Sequence, residues 1–143
     1  MKKIFTFSIM TAITALFFSS CIRNTVMDDT EGYWLSQERG EVVFRDANCG
    51  YFVVETNYGY TIIRSISGGR PYEGSIIYGN FGDYGVRNFY NYSSGVIITG
   101  DAVDVDLTYS EAQYAVEYYC PYTVGYKIKQ SAVSSEKEKR VVQ

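Results

Sequence analysis

Glycine followed by a run of β-branched and aromatic residues recurs along this chain, and the pattern leaves room for little except short strands. Gly50-Tyr51-Phe52-Val53-Val54-Glu55 and Gly59-Tyr60-Thr61-Ile62-Ile63-Arg64 stand nine residues apart and are nearly a repeat. Thr56-Asn57-Tyr58-Gly59 between them has turn chemistry, so the two runs read as a hairpin. Gly74-Ser75-Ile76-Ile77-Tyr78 and Gly95-Val96-Ile97-Ile98-Thr99 follow the same rule, and Glu41-Val42-Val43-Phe44-Arg45 opens the series. A strand with one wet face alternates apolar and polar residues. Adjacent β-branched pairs break that alternation, so these strands are covered on both faces or carry bulges that coil a barrel. Val103-Asp104-Val105-Asp106-Leu107 does alternate, which puts its valines on one face and its acids on the other.

One helix interrupts this pattern. Ser110 can cap it, Gln113 stands where a capping-box partner belongs, and Glu111 suits the first turn. Ala112, Ala115, Val116 and Tyr119 give a helical stripe, and Pro121 bars extension, so the helix runs over 110–119. Residues 122–128 then read as a last edge strand. Five or six strands and one short C-terminal helix make the fold class mainly β. The architecture is a small coiled β-barrel of the oligonucleotide/oligosaccharide-binding (OB) kind, with an open α+β sheet packed on the helix as the alternative. Loops rich in turn residues, Ser67-Gly68-Gly69-Arg70-Pro71-Tyr72 and Asn80-Phe81-Gly82-Asp83-Tyr84-Gly85, join the strands.

The N-terminus reads differently. Met1-Lys2-Lys3 is basic, residues 4–18 are an apolar run of 15, and Ser19-Ser20 precede Cys21. This is the layout of a secretory signal, and the run is shorter than the roughly 20 residues a spanning helix needs. Leu16-Phe17-Phe18-Ser19-Ser20-Cys21 resembles the lipobox of bacterial lipoproteins, with Phe18 where Leu is usual. The resemblance covers residues 1–21. It implies that 1–20 are removed, that Cys21 carries the lipid, and that the mature protein sits in the bacterial cell envelope. Ile22, where Asp would mark retention, implies the outer membrane. The remaining chain divides into a leash over 21–32, a β-rich domain over 33–130 and a polar tail over 131–143.

Charge and residue types exclude several function classes. Residues 22–125 hold six Arg, no Lys and 14 acids, a net of −8, while the stretch from Tyr126 carries +3. So acidic a domain is a poor match for phosphate backbones, and no nucleic-acid partner is expected. The chain has no histidine, which rules out Ser–His and Cys–His nucleophiles and removes the commonest metal ligand. Glycines 79, 82 and 85 are not a dinucleotide fingerprint. No cofactor, metal or catalytic residue is expected. With Cys21 acylated, Cys49 and Cys120 form an even pair in an exported chain and read as a disulfide. The loop it closes spans 71 positions, which the chain-entropy view values at about 4 kcal/mol.

What remains is aromatic. Fifteen tyrosines are present, and Tyr58, Tyr72, Tyr84, Tyr90 and Tyr92 lie outside the expected strand interiors. Tyrosine offers stiff contact area with a polar handle, which suits protein or glycan surfaces. The loops near Arg64, Arg70, Tyr72, Tyr84 and Arg87 bring the few cations close to exposed rings and form the expected contact site. The leading expectation is a non-enzymatic envelope lipoprotein that binds an envelope protein or a glycan. Two alternatives stand beside it. One is an inhibitor of a lytic enzyme such as lysozyme, because 67–72 is similar to the SGxxY-type loop of small lipidated barrels that inhibit lysozyme, with one extra residue. The other is a small glycan hydrolase using Asp104 and Asp106 as paired carboxylates.

Overall fold

A computed structural model of the chain describes residues 28–123 and 125–130. In chain order it has a short helix α1 (Asp28–Leu35), then β1 (Glu38–Arg45), β2 (Tyr51–Glu55), β3 (Tyr60–Ser67), β4 (Ile76–Gly79), β5 (Gly85–Asn91), β6 (Val96–Leu107) and α2 (Tyr109–Tyr119). The strands and α2 belong to the compact unit that begins at Gly32. The leash expected over 21–32 therefore gives way to α1 from Asp28 on, and the rest of it, with Cys21 and the signal segment, lies outside the described residues. The tail over 131–143 lies outside them as well.

The six strands close into one barrel, antiparallel at every pairing, in the order β1-β2-β3-β6-β5-β4. β1 completes the ring against β4, with Glu38 opposite Gly79 and Glu41 opposite Ile76. The fold is thus the small mainly-β barrel with a short C-terminal helix, and not the open sheet. Closure leaves no row of unpaired backbone groups to template aggregation.

Adjacent β-branched residues have the double burial that their spacing implies. Phe52 and Val54 of β2 and Ile63 of β3 face the barrel interior with Val42, Ile77, Phe81, Phe89 and Ile98. Val53, Tyr60 and Ile62, their immediate neighbours, face outward into a second core under α2, built with Phe44, Ala112 and Val116. A bulge in β1 between Val42 and Phe44 shifts the register, so Val42 points in while Val43 and Phe44 both join the outer core. The interior is narrow. A Cβ at Gly40 would run into Val54, one at Gly79 into Phe89, and one at Gly100 into Ile63. Glycine at 79 and 100 makes room for Phe89, which stacks on Phe81 with ring centroids 5.2 Å apart.

Three local expectations are corrected. Residues 96–107 form one 12-residue strand, not two, because Gly100 and Asp101 stay in the ladder opposite Ser65 and Arg64. β5 carried no glycine-led apolar pair and was missed by that pattern; it alternates Arg87, Phe89 and Asn91 inward with Val86, Asn88 and Tyr90 outward, so Tyr90 lies inside a strand. The acids of β6 are not a matched pair on a wet face. Register shifts opposite Ile62 break the alternation, Asp106 takes φ of +54°, and Asp104 accepts a hydrogen bond from the Tyr119 hydroxyl beneath α2.

The helix starts one residue before the expected position. Thr108 caps it: its Oγ1 accepts from Glu111 N at 3.4 Å, and Glu111 Oε2 accepts from Thr108 N at 2.8 Å. The Thr108 N–H and the Thr108 hydroxyl, which donates to the same Oε2 at 2.8 Å, hold the Glu111 pKa below its ordinary value. The expected partner, Gln113, does other work. Its Nε2 donates to Tyr126 O at 2.7 Å and its Oε1 accepts from Ile128 N at 3.0 Å. Among the described residues of the segment expected as a strand over 122–128, the chain turns at Thr123 and Tyr126 and then runs on as a strap without ladder pairing, tied down by a glutamine side chain and by Lys129 N to Val43 O at 3.2 Å.

Glu73 holds the other side of this strap. Lys129 Nζ lies 2.6 Å from its carboxylate, the Tyr126 hydroxyl donates to it, and Arg45 N donates at 3.2 Å. Partial burial pushes the Glu73 pKa up, but these three partners outweigh burial and hold it below the ordinary carboxylate range. Burial first, and then the Glu73 carboxylate, push the Tyr126 hydroxyl up to about 12.

Two outcomes test this account by urea unfolding. Gly100→Ala adds a methyl against Ile63 and should cost about 1–3 kcal/mol, whereas Gly82→Ala, with open space at its Cβ, should cost little. Glu73→Gln should destabilise by about 1–2 kcal/mol at pH 7. Because the folded pKa of Glu73 is depressed, its contribution exists above the unfolded value and is lost as pH falls through the folded one. The gap between wild type and Glu73→Gln should therefore close on acidification below about pH 4, and a gap unchanged at pH 3 would contradict the assignment.

Candidate functional site

The five residues expected to share a contact site are not together. The pairings Glu38–Gly79 and Tyr60–Leu107 mark one end of the barrel, which carries the turn over 56–59 and the loop over 80–84. The loops over 46–50, 68–75 and 92–95 lie at the other end. Arg70 and Tyr72 stand at this second end and Tyr84 and Arg87 near the first. Arg64 points outward from β3 and pairs with Asp101 of β6 at 2.8 Å. Arg87 leans along the barrel end, its Nη2 donating to Tyr84 O at 2.7 Å and its Nη1 3.6 Å from Asp83. Tyr72 is exposed and lies under the Arg45 guanidinium, 4.2 Å from ring centroid to Cζ.

Arg70 is turned into the protein. Its guanidinium donates to the carbonyls of Asp46 at 2.7 Å, Ala47 at 3.0 Å and Cys49. It thus fixes the loop joining β1 to β2, and of the 67–72 loop Tyr72 is what remains to face solvent as a large side chain.

The loop that Arg70 fixes is one wall of a cleft of about 140 Å³. Cys49 and Cys120 are disulfide-bonded with Cα atoms 5.5 Å apart, an ordinary separation, and they line the cleft. Asp46 and Asn48 stand on the loop side, and Tyr119, Tyr122 and Thr123 on the side of α2 and the turn after it. Each wall carries a local hydrogen bond. Asp46 Oδ1 accepts from Asn48 N at 2.7 Å, and Thr123 Oγ1 donates to Cys120 O at 2.7 Å. Tyr119 stacks on Tyr51 with centroids 4.7 Å apart and planes at 23°. Burial, followed by its bond to Asp104, pushes the Tyr119 hydroxyl up to about 12, so the ring stays neutral across the physiological range. Tyr122 is 94% exposed, and Tyr118 and Tyr114, both more than three-quarters exposed, continue an aromatic line along α2 at helical spacing.

A second surface lies across the barrel. β2, under α2, is three strands from β5 in the ring, and α2 packs on β2, β3 and part of β6, which leaves the outward side of β4 and β5 away from it. Arg39, Tyr78, Tyr90 and Ile97 form one outward row across four strands. Trp34 of α1 stacks on Tyr90 with centroids 6.3 Å apart, and Tyr92 meets Tyr78 and Tyr90 edge-on at 5.9 and 6.4 Å.

Of the cleft, sequence reading located the cysteines but not Asp46, Asn48, Tyr119 or Tyr122. The signal was the disulfide itself. A bond between Cys49 and Cys120 forces 46–50 against 119–123 whatever the strand order. Among the described residues no cluster of His, Cys, Asp or Glu could hold a metal ion. No family model, curated protein or solved structure matches this chain.

Replacing Arg70 with Ala tests the role given to it. The three carbonyls lose a charged donor, so stability should fall by about 2–3 kcal/mol. Amide exchange should accelerate at Asn48 and Gly50 and stay unchanged at Phe89, inside the barrel.

Proposed function

We propose that this protein is a non-enzymatic glycan-binding module of the bacterial cell envelope, tethered by lipid on Cys21. The observation that carries the reading is the disulfide cleft, where tyrosine rings stand beside a carboxylate and an amide on two segments joined by a disulfide. A pyranose ring has an apolar C–H face and a rim of hydroxyls. Tyr119 and Tyr122 suit the face, and Asp46 and Asn48 suit the rim. The cleft, at about 140 Å³, would engage part of one sugar unit at a time. The exposed line Tyr122, Tyr118 and Tyr114 would carry the neighbouring units of a polymer.

The same residues argue for binding over hydrolysis. Glycosidases flank the scissile bond with two carboxylates about 5–9.5 Å apart. The cleft lining contains Asp46 and no second acid. Asp104, one of the two acids the sequence offered as a carboxylate pair, is engaged by the Tyr119 hydroxyl under α2. The acidic domain disfavours nucleic acid, as its charge implies.

Cosedimentation with purified cell-wall glycan tests the proposal. The wild-type chain should pellet with the glycan. Tyr122→Ala and Asn48→Ala should each weaken binding about tenfold, a loss of roughly 1.4 kcal/mol, while Tyr58→Ala at the other barrel end should bind as wild type. Equal binding by all four, or none by the wild type, would overturn the cleft as a glycan site. Recovery of one stoichiometric envelope protein instead would assign the cleft to a protein partner.

A further inference from the structure

The aromatic face across the barrel from the cleft is not used by that reading. We infer that it rests on the membrane, so that the barrel lies against the bilayer at the headgroup level with the cleft directed away. The inference rests on the reading of Cys21 as the lipid-bearing residue.

Chain length supports it first. Six residues, 22–27, separate Cys21 from α1 at Asp28. Seven steps of extended chain reach at most about 25 Å, less than the depth of a bilayer. Trp34 lies in that same helix, so the aromatic face includes the described residues next to the tether. A short tether also sets a local concentration in the millimolar range, so even a weak affinity of the face for lipid keeps it docked.

The chemistry of the face supports it second. Tryptophan and tyrosine are the residues that settle at membrane–water interfaces, with rings among the acyl ends and polar atoms toward water. Trp34 is the chain's one tryptophan, and it is here. Tyr33, Leu35, Tyr92 and Ile97 are each 43–59% exposed near it. The outward row of Arg39, Tyr78, Tyr90 and Ile97 holds no acid and ends in a cation whose long stem can reach the headgroups. Glu41, partly buried in the next row of β1, stands at the rim, and Asp101 is neutralised by Arg64. The −8 charge of 22–125 opposes anionic lipid, so the matching surface is zwitterionic.

Trp34 reports the result directly. The full chain would be expressed with its own N-terminus, extracted with its lipid and reconstituted in phosphatidylethanolamine–phosphatidylcholine vesicles, with or without bromine on the acyl chains. The mass of the N-terminal peptide reads acylation independently. If the face is docked, brominated lipid should lower Trp34 emission at least about twofold. Tyr92→Asp with Ile97→Asp, both at half-exposed positions, should restore the emission while acylation persists. An acylated wild-type chain with equal emission in both vesicles would leave the tether reading intact and overturn this one. A chain without acyl groups would remove the tether reading and this inference with it. Glycan binding is measured separately and bears on neither outcome.

Discussion

The β2–β3 hairpin is apolar on both faces, and the rest of the fold answers that constraint. Phe52, Val54 and Ile63 need an interior, which ring closure by β4, β5 and β6 supplies. Val53, Tyr60 and Ile62 need a cover on the outside, which α2 supplies. Burying each such side chain is worth about 1.5–3 kcal/mol, so a hairpin left bare on either face would forfeit a large share of a small domain's stability. A barrel with one helix across three of its strands is the smallest arrangement here that covers both.

Covering the outer face dictates where the other fixed points lie. α2 must stay on the hairpin, and three devices hold it there: the Thr108–Glu111 box at its start, the disulfide at its end, and the strap that Gln113 and Glu73 fasten alongside it. The cleft follows from the second of these. Pinning the end of α2 to the loop between β1 and β2 sets two short backbone segments against each other across a disulfide, and Arg70 stiffens one of them. The opposite face lies away from α2: Tyr78 and Tyr90 meet Tyr92 edge-on, Tyr90 stacks on Trp34 of α1, and Ile97 stays half exposed. The cover on one side and the face away from α2 on the other make a molecule with two unlike surfaces.

The sequence made the barrel legible through its spacing. Adjacent β-branched residues demanded two covered faces or bulges, and β1, β2 and β3 show both. It made the hairpin legible through turn chemistry, and the disulfide through an even cysteine count. It hid β5, whose arginine and two asparagines do not read as strand residues until Phe89 is seen between Gly79 and Gly100. It also misled at the contact site. Arg64, Arg70, Tyr72, Tyr84 and Arg87 sit in loops and strands close in sequence, but the meander sends consecutive loops to alternate barrel ends, and Arg70 points inward to carbonyls that no pattern of residue types announces.

Local chemistry therefore determined by itself that this chain forms short strands, one hairpin, one helix near the C-terminus and one long-range covalent link. These properties depend on residues within a few positions of each other, or on a bond between two named atoms. The tertiary structure decided which strand pairs with which, that Gln113 fastens a strap and does not cap a helix, that Asp104 and Asp106 part company, and that Asp46 and Asn48 face Tyr119 and Tyr122. Each of these depends on register and on bulges. A shift of one residue turns a side chain to the other face of a sheet, and only the packing of both cores settles that shift.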